Sequence, residues 1–198
     1  YPKPVLAPRD AKPSKWNPLK KIALCLFLLA CTDKKSVDQS ESLPRLELIA
    51  SYELEIDEPS GLSLGAGGKE LWAVGNNPES VYRLTTKGRV IEQLAYKGKD
   101  LEGIAFDPSD STLWIVEEGK REVVQLDSTG KVLERHFLAL DGKSNSGLEG
   151  ICMNDVGSLY VLNEKDPGLL LALGTDRSIQ TEYRLDFARD YSGLACDQ

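Results

Sequence analysis

Leu101-Glu102-Gly103-Ile104-Ala105-Phe106 and Leu148-Glu149-Gly150-Ile151-Cys152-Met153 are two copies of one phrase. Weaker copies flank them, Pro59-Ser60-Gly61-Leu62-Ser63-Leu64 before and Tyr191-Ser192-Gly193-Leu194-Ala195-Cys196 after. The glycines Gly61, Gly103, Gly150 and Gly193 stand 42, 47 and 43 residues apart, and self-similarity at such a period marks a repeat architecture.

The stretches between the phrases repeat as well. Leu71-Trp72-Ala73-Val74, Leu113-Trp114-Ile115-Val116 and Leu159-Tyr160-Val161-Leu162 follow each phrase. Then come Val81-Tyr82-Arg83-Leu84, Val123-Val124-Gln125-Leu126 and Leu169-Leu170-Leu171-Ala172-Leu173, each closed by a polar turn. A two-sided segment ends each repeat, at residues 90–94, 132–138 and 179–185. Four short runs rich in β-branched, aromatic and leucine residues, punctuated by Gly, Asp and Ser, predict four antiparallel strands. Four such strands are one blade of an all-β propeller.

Residues 46–56 precede the first phrase and correspond in position to the last strand of a repeat, which predicts an outer strand there. From Leu46 to Gln198 the chain holds about three and a half such repeats. Closure takes roughly four to eight blades, so the expectation is part of a larger propeller, a truncated six-bladed ring.

The N-terminal part carries a targeting pattern. Lys20-Lys21 precede the apolar run Ile22–Ala30, which stops at Cys31 before a polar stretch. The run is too short to span a bilayer and suits the apolar core of a signal peptide. Leu28-Leu29-Ala30-Cys31 resembles a bacterial lipobox, which implies cleavage before Cys31, lipid attachment to that residue and a location in the bacterial cell envelope. The expected organisation is therefore 1–30 as upstream segment and signal peptide, 31–45 as a lipid-anchored tether, and 46–198 as the partial propeller. Residues 1–18 contain no methionine, and a translation start near Leu19 is one reading of them.

The full chain has a formal net charge of −7. Residues 1–30 hold six basic residues and one acid, so 18 basic and 30 acidic residues remain beyond them, a net charge near −12. Such a surface argues against nucleic acid as a partner and favours cations or basic ligands. Cys152 and Cys196 follow their glycines at offsets of two and three, which in strands points them to opposite faces and predicts buried free thiols rather than a disulfide.

In a blade, the innermost strand begins and the second strand ends on the same face of the disc. Glu102 and Glu149 begin inner strands, while Asn77, Glu118 and Glu164 stand at matching positions after second strands. These five residues are the expected binding set at one channel mouth. Crowded carboxylates raise each other's pKa unless a cation intervenes, and a hard cation, Ca²⁺ first, with Glu102 and Glu149 as ligands, is an economical partner. The structural alternative is equally concrete: the carboxylates accept backbone N–H groups and brace blade to blade. Gly103 and Gly150 are read as positions of φ > 0 or of close backbone approach. Trp72, Trp114 and Tyr160 are read as inter-blade packing.

The leader, the Leu-Glu-Gly-Ile phrases and the acidic residues after Leu-Trp-x-Val strands together resemble the SdiA-regulated (YjiK-like) β-propeller family, itself similar to phytase-like and esterase-like propellers. The resemblance covers residues 46–198 and implies an envelope-associated six-bladed propeller with a possible metal site. Ser60 and Ser192 stand where the other copies carry glutamate, so not every blade presents a carboxylate.

No Ser-His-Asp set, zinc motif, phosphate-binding loop or dinucleotide fingerprint is present, and no residue is assigned as catalytic. His136 sits in an outer strand away from the mouth. Two functions follow. One is an envelope lipoprotein whose acidic mouth binds a small molecule or protein. The other is a metal-dependent phosphoesterase or lactonase-like hydrolase, with Glu102 and Glu149 on the metal and Glu118 or Glu164 as general base.

Overall fold

The computed structural model describes residues 46–140 and 147–196. The signal-like run, Cys31 and the tether lie outside the described residues. Among the described residues no helix is long and apolar enough to cross a membrane.

Among the described residues, twelve strands form three four-stranded antiparallel sheets in simple sequential order. The first blade is β1 (Asp57–Leu64), β2 (Glu70–Asn77), β3 (Glu79–Thr85) and β4 (Val90–Gln93). The second is β5 (Leu101–Asp107), β6 (Thr112–Glu117), β7 (Glu122–Leu126) and β8 (Val132–Phe137). The third is β9 (Leu148–Met153), β10 (Leu159–Asn163), β11 (Leu169–Leu173) and β12 (Ile179–Arg184). These are the blades of a β-propeller, and their strands fall where the repeated runs predict them.

The middle strands are buried on both faces, and their period of two divides the side chains between two inter-blade cores. On β6, Leu113 and Ile115 join Trp72, Val74 and Ile104 between the first and second blades. Trp114 and Val116 of the same strand join Ile151, Leu159 and Leu171 between the second and third. Trp72 and Trp114 are thus inter-blade packing residues, as expected, whereas Tyr160 is half-buried on the opposite face of β10 from Leu159 and Val161.

Each blade exits its third and fourth strands through the same device. Leu94, Leu138 and Leu185 donate their backbone N–H groups to Val81, Arg121 and Gly168 at 2.9 Å. Leu94 and Leu138 then insert into the inter-blade cores. Asp107-Pro108-Ser109-Asp110-Ser111 is a hairpin turn: Asp107 accepts Ser109 N at 2.9 Å and Asp110 accepts Thr112 N at 3.1 Å.

Close approach, not positive φ, explains Gly61, Gly103 and Gly150. A Cβ on Gly61 would lie 2.7 Å from Glu102 O, one on Gly103 2.9 Å from Ile151 N, and one on Gly150 2.9 Å from Leu194 N. Neighbouring inner strands therefore touch backbone to backbone, glycine against glycine phrase.

Two expectations are corrected. Residues 46–56 are not an outer strand: they pair with no sheet, and Leu46, Leu48 and Ile49 are exposed. The three described blades each draw their outer strand from their own repeat, as β4, β8 and β12, and the segment instead runs past the β3–β4 turn, where Leu54 meets Gly88. Cys152 and Cys196 are disulfide-bonded, with Cα atoms 5.5 Å apart. The parity argument holds within one ladder, whereas Gly150 abuts the peptide between Gly193 and Leu194 of a segment outside the ladder, a stagger that brings the residues two beyond Gly150 and two beyond Leu194 level.

Gly103→Ala is expected to lower stability by about 1–3 kcal/mol, the usual range for overpacking, because the obstructing atoms are backbone. Denaturant titration of the variant measures it, and an unchanged midpoint contradicts the close-contact reading.

Candidate functional site

The carboxylates are set by a bulge. Leu101 pairs with Glu117 and Gly103 with Val116, so Glu102 is an extra residue opposite nothing on β6. Glu149 is the extra residue between Leu148↔Asn163 and Gly150↔Leu162, and Ser60 between Pro59↔Gly75 and Gly61↔Val74. A bulge re-aims its side chain, here toward a cavity of about 100 Å³ lined by Ser60, Glu102, Glu149, Ser192 and the phrase glycines.

The same pairing fixes the second row of residues. Glu117, Asn163 and Gly75 are level, so the residues after them, Glu118, Glu164 and Asn76, are equivalent. Sequence alignment puts Asn77 in this row, but Asn77 is exposed and pairs with Asp57. The row is displaced by one because β2 runs on through Asn77, hiding the equivalent position inside a strand. Asn76 does what its place requires: its side chain donates to Glu102 at 3.3 Å and to Ser60 at 3.2 Å and accepts Leu101 N at 2.9 Å.

Backbone bonds hold Glu118 and Glu164 at the mouth. Glu118 N donates to Asp100 O at 2.9 Å and Glu164 N to Gly147 O at 2.8 Å. Glu118, 8% exposed, also accepts Gly147 N at 2.9 Å through Oε1, so it braces the second blade to the third as the structural alternative requires. Glu164 pairs with Lys165, which lies 3.4 Å from Asp190.

The five acids converge. Carboxylate oxygens of Asp100, Glu102 and Glu118 lie within 4.8 Å of one another, as do those of Glu118, Glu149 and Glu164. Asp100, at positive φ of 59° before the Leu-Glu-Gly-Ile phrase, carries no sequence signal beyond its charge and enters the site only through the fold. Burial pushes the Glu102 carboxyl up, opposed by the Asn76 hydrogen bond and reinforced by Asp100. Burial also raises Glu118, against the Gly147 bond, with Asp100 adding to the rise. Glu149 is pushed to about 8, first by burial and then by Glu102, Glu118 and Glu164. No hydrogen-bond donor among the described residues reaches its carboxylate.

Behind the mouth stands a carboxylate shifted the other way. Glu117 is fully buried and receives Arg135 at 3.0 Å, Lys120 at 2.6 Å and the Tyr96 hydroxyl. Burial alone would raise its carboxyl, but Lys120, Tyr96 and Arg135 outweigh burial and hold it below the usual range. These partners come from the short turn Glu118–Lys120, from β8 and from the link before β5, so one anion ties together the elements that present Glu118. His136 pairs with Glu134 at 2.8 Å in β8, away from this cluster.

Below the mouth, the inner strands line a cavity of about 390 Å³, with Leu62, Ser63 and Leu64 on one side, while Ile104, Phe106, Ile151 and Met153 turn into the inter-blade cores. The arrangement can therefore bind a cation or a cationic group at its rim.

The acids yield two expectations. A carboxyl whose pKa is raised on folding contributes stability below its unfolded value and loses it as pH rises through its folded value. The metal-free protein should accordingly lose thermal stability between about pH 5 and 8, and Glu149→Gln should melt higher than wild type at pH 8 while matching it near pH 5. Glu117→Ala is expected to cost about 1–3 kcal/mol in chemical unfolding, since it leaves the buried Tyr96 hydroxyl without its acceptor and unties Arg135 and Lys120.

Comparison with known proteins fits this architecture. The family model described as SdiA-regulated matches residues 49–197. No curated protein matches the sequence. Among solved structures, virginiamycin B lyase from Staphylococcus aureus is similar at 22% identity and TM-score 0.50, covering 68% of this chain and 44% of that one. The calcium-binding protein regucalcin from Agrobacterium tumefaciens is similar at 19% identity and TM-score 0.52, covering 69% and 48%. A chain of a nidogen/laminin complex is similar at 20% identity and TM-score 0.51, covering 68% and 51%. At these identities the likeness concerns the fold, and the chain spans about half the length of such neighbours or less.

Proposed function

The chain belongs to the SdiA-regulated family, and on that premise we propose that it is a bacterial cell-envelope propeller whose acidic mouth captures a hard cation, Ca²⁺ first, or a ligand carrying one. Cys31 is the lipid attachment point in this reading, and residues 31–45 hold the blades off the membrane. The partner is a small molecule or a protein, not nucleic acid, whose phosphates the acidic surface would repel.

The observation that carries the reading is that two carboxylate triads share Glu118. Oxygens bound to one Ca²⁺ at 2.3–2.6 Å stand at most about 5 Å apart, and each triad lies within 4.8 Å. A cation also relieves the repulsion that pushes Glu149 to about 8. Regucalcin is named a calcium-binding protein, but at its low identity the reading rests on the carboxylates.

The test is calorimetric titration of Ca²⁺ into the leaderless protein. Saturable binding is expected, weaker at pH 6 than at pH 8 because Glu149 must release its proton. Glu118→Gln, folded by circular dichroism, is expected to lose affinity by tenfold or more. Absence of saturable heat, or equal affinity in that variant, overturns the proposal.

One observation favours a hydrolase as the second reading. A carboxyl held near pH 8 is suited to proton transfer at neutral pH, so Glu149 is the acid or base that a metal-assisted hydrolysis of phosphoesters or lactones would use, beside Glu118 or Glu164. A screen on those substrates checks it, with turnover expected to vanish in Glu149→Gln; turnover that survives excludes the role.

A further inference from the structure

Cys152 and Cys196 form a covalent link that the acidic mouth does not require. Cys152 lies on β9 and Cys196 in the segment 191–196 beyond β12, 44 residues along the chain. The ring they close contains β10, β11 and β12 whole. Among the described residues, segment 191–196 pairs with no strand. Its described noncovalent attachments lie at its start and middle: the Tyr191 ring rests over Gly168 and edge-on to Phe187, the Tyr191 hydroxyl accepts Ala188 N at 3.0 Å, and the Leu194 backbone abuts Gly150. Yet Ser192, Gly193 and Leu194 wall the mouth cavity beside Glu149.

We infer that Cys152–Cys196 is an oxidative clasp that seats residues 191–196 on the third blade, and that the protein is built to mature in an oxidising compartment. Disulfides persist outside the reducing cytosol. The bond forms by exchange: a thiolate of the pair attacks a disulfide oxidant, protein or small molecule, to give a mixed disulfide and one released thiol. The second cysteine thiolate then displaces the other oxidant sulfur. Two cysteine thiols are oxidised, the oxidant disulfide is reduced to two thiols, and the two protons end on those thiols. The inference stands on covalent connectivity and does not depend on the cation reading.

The test uses the full chain, exported to an oxidising compartment, with alkylation before and after reduction, peptide mass mapping, thermal melting and amide exchange. The Cys152 and Cys196 peptides are expected to be linked and protected from alkylation until reduced. Reduction is expected to lower Tm by about 10 °C, as loss of a ring this size in such a domain implies, and to speed exchange at residues 191–196 at least tenfold. The Cys152→Ser/Cys196→Ser double variant should behave like the reduced protein and ignore added reductant. If that variant does not fold, the oxidised and reduced forms of the natural chain still decide the matter. Free alkylatable Cys152 and Cys196 in the exported folded chain, or a linked pair whose reduction changes neither melting nor exchange at 191–196, overturns the inference.

Discussion

The structure depends on how closely neighbouring inner strands approach one another. At Gly61, Gly103 and Gly150 the backbone of one blade meets the backbone of the next at distances that exclude a Cβ. Everything nearer the channel follows from that contact. Side chains just before each glycine are forced into a bulge, and a bulge delivers them to one rim. The glycine and the glutamate of the phrase are therefore one device: the first permits the approach, and the second is carried to the mouth by it.

The rim that results is electrostatically costly, and the protein balances it unevenly. Glu118 is partly satisfied by Gly147 N and Glu102 by Asn76. Glu164 has Lys165. Glu149 accepts no hydrogen bond among the described residues, and the charge of Lys165 does not offset the burial and neighbouring carboxylates that push it to about 8. One residue away from Glu118, Glu117 is buried more deeply and yet held ionised, because two cations and a phenol surround it. Depth alone thus does not decide ionisation in this blade. The number of donors does.

Much of the fold was legible in the residues. The period of the glycine phrases, the four runs per repeat and the turn residues between them point to four-stranded blades, because a half-buried antiparallel strand must alternate and a hairpin must turn. The core division on β6 is the same alternation seen in three dimensions. The site was legible in part. Glu102, Glu118, Glu149 and Glu164 stand out as recurrent acids at blade starts and ends, but Asp100 is in no phrase, and the repeat spacing singles out Asn77 rather than Asn76 because strand ends are invisible without the pairing register.

By itself, then, the sequence determined what is local and periodic: strand count per repeat, blade order, the recurrence of carboxylates and the need for glycine at each channel entry. These follow from side-chain alternation and from backbone geometry over a few residues. Only the tertiary structure decided what depends on the stagger between blades. It made close approach rather than positive φ the reason for Gly61, Gly103 and Gly150, joined Cys152 to Cys196 against their parity, left residues 46–56 without a sheet, and gathered four acids around Glu118. These are relations between segments that strand periodicity does not place side by side, most of them in separate sheets.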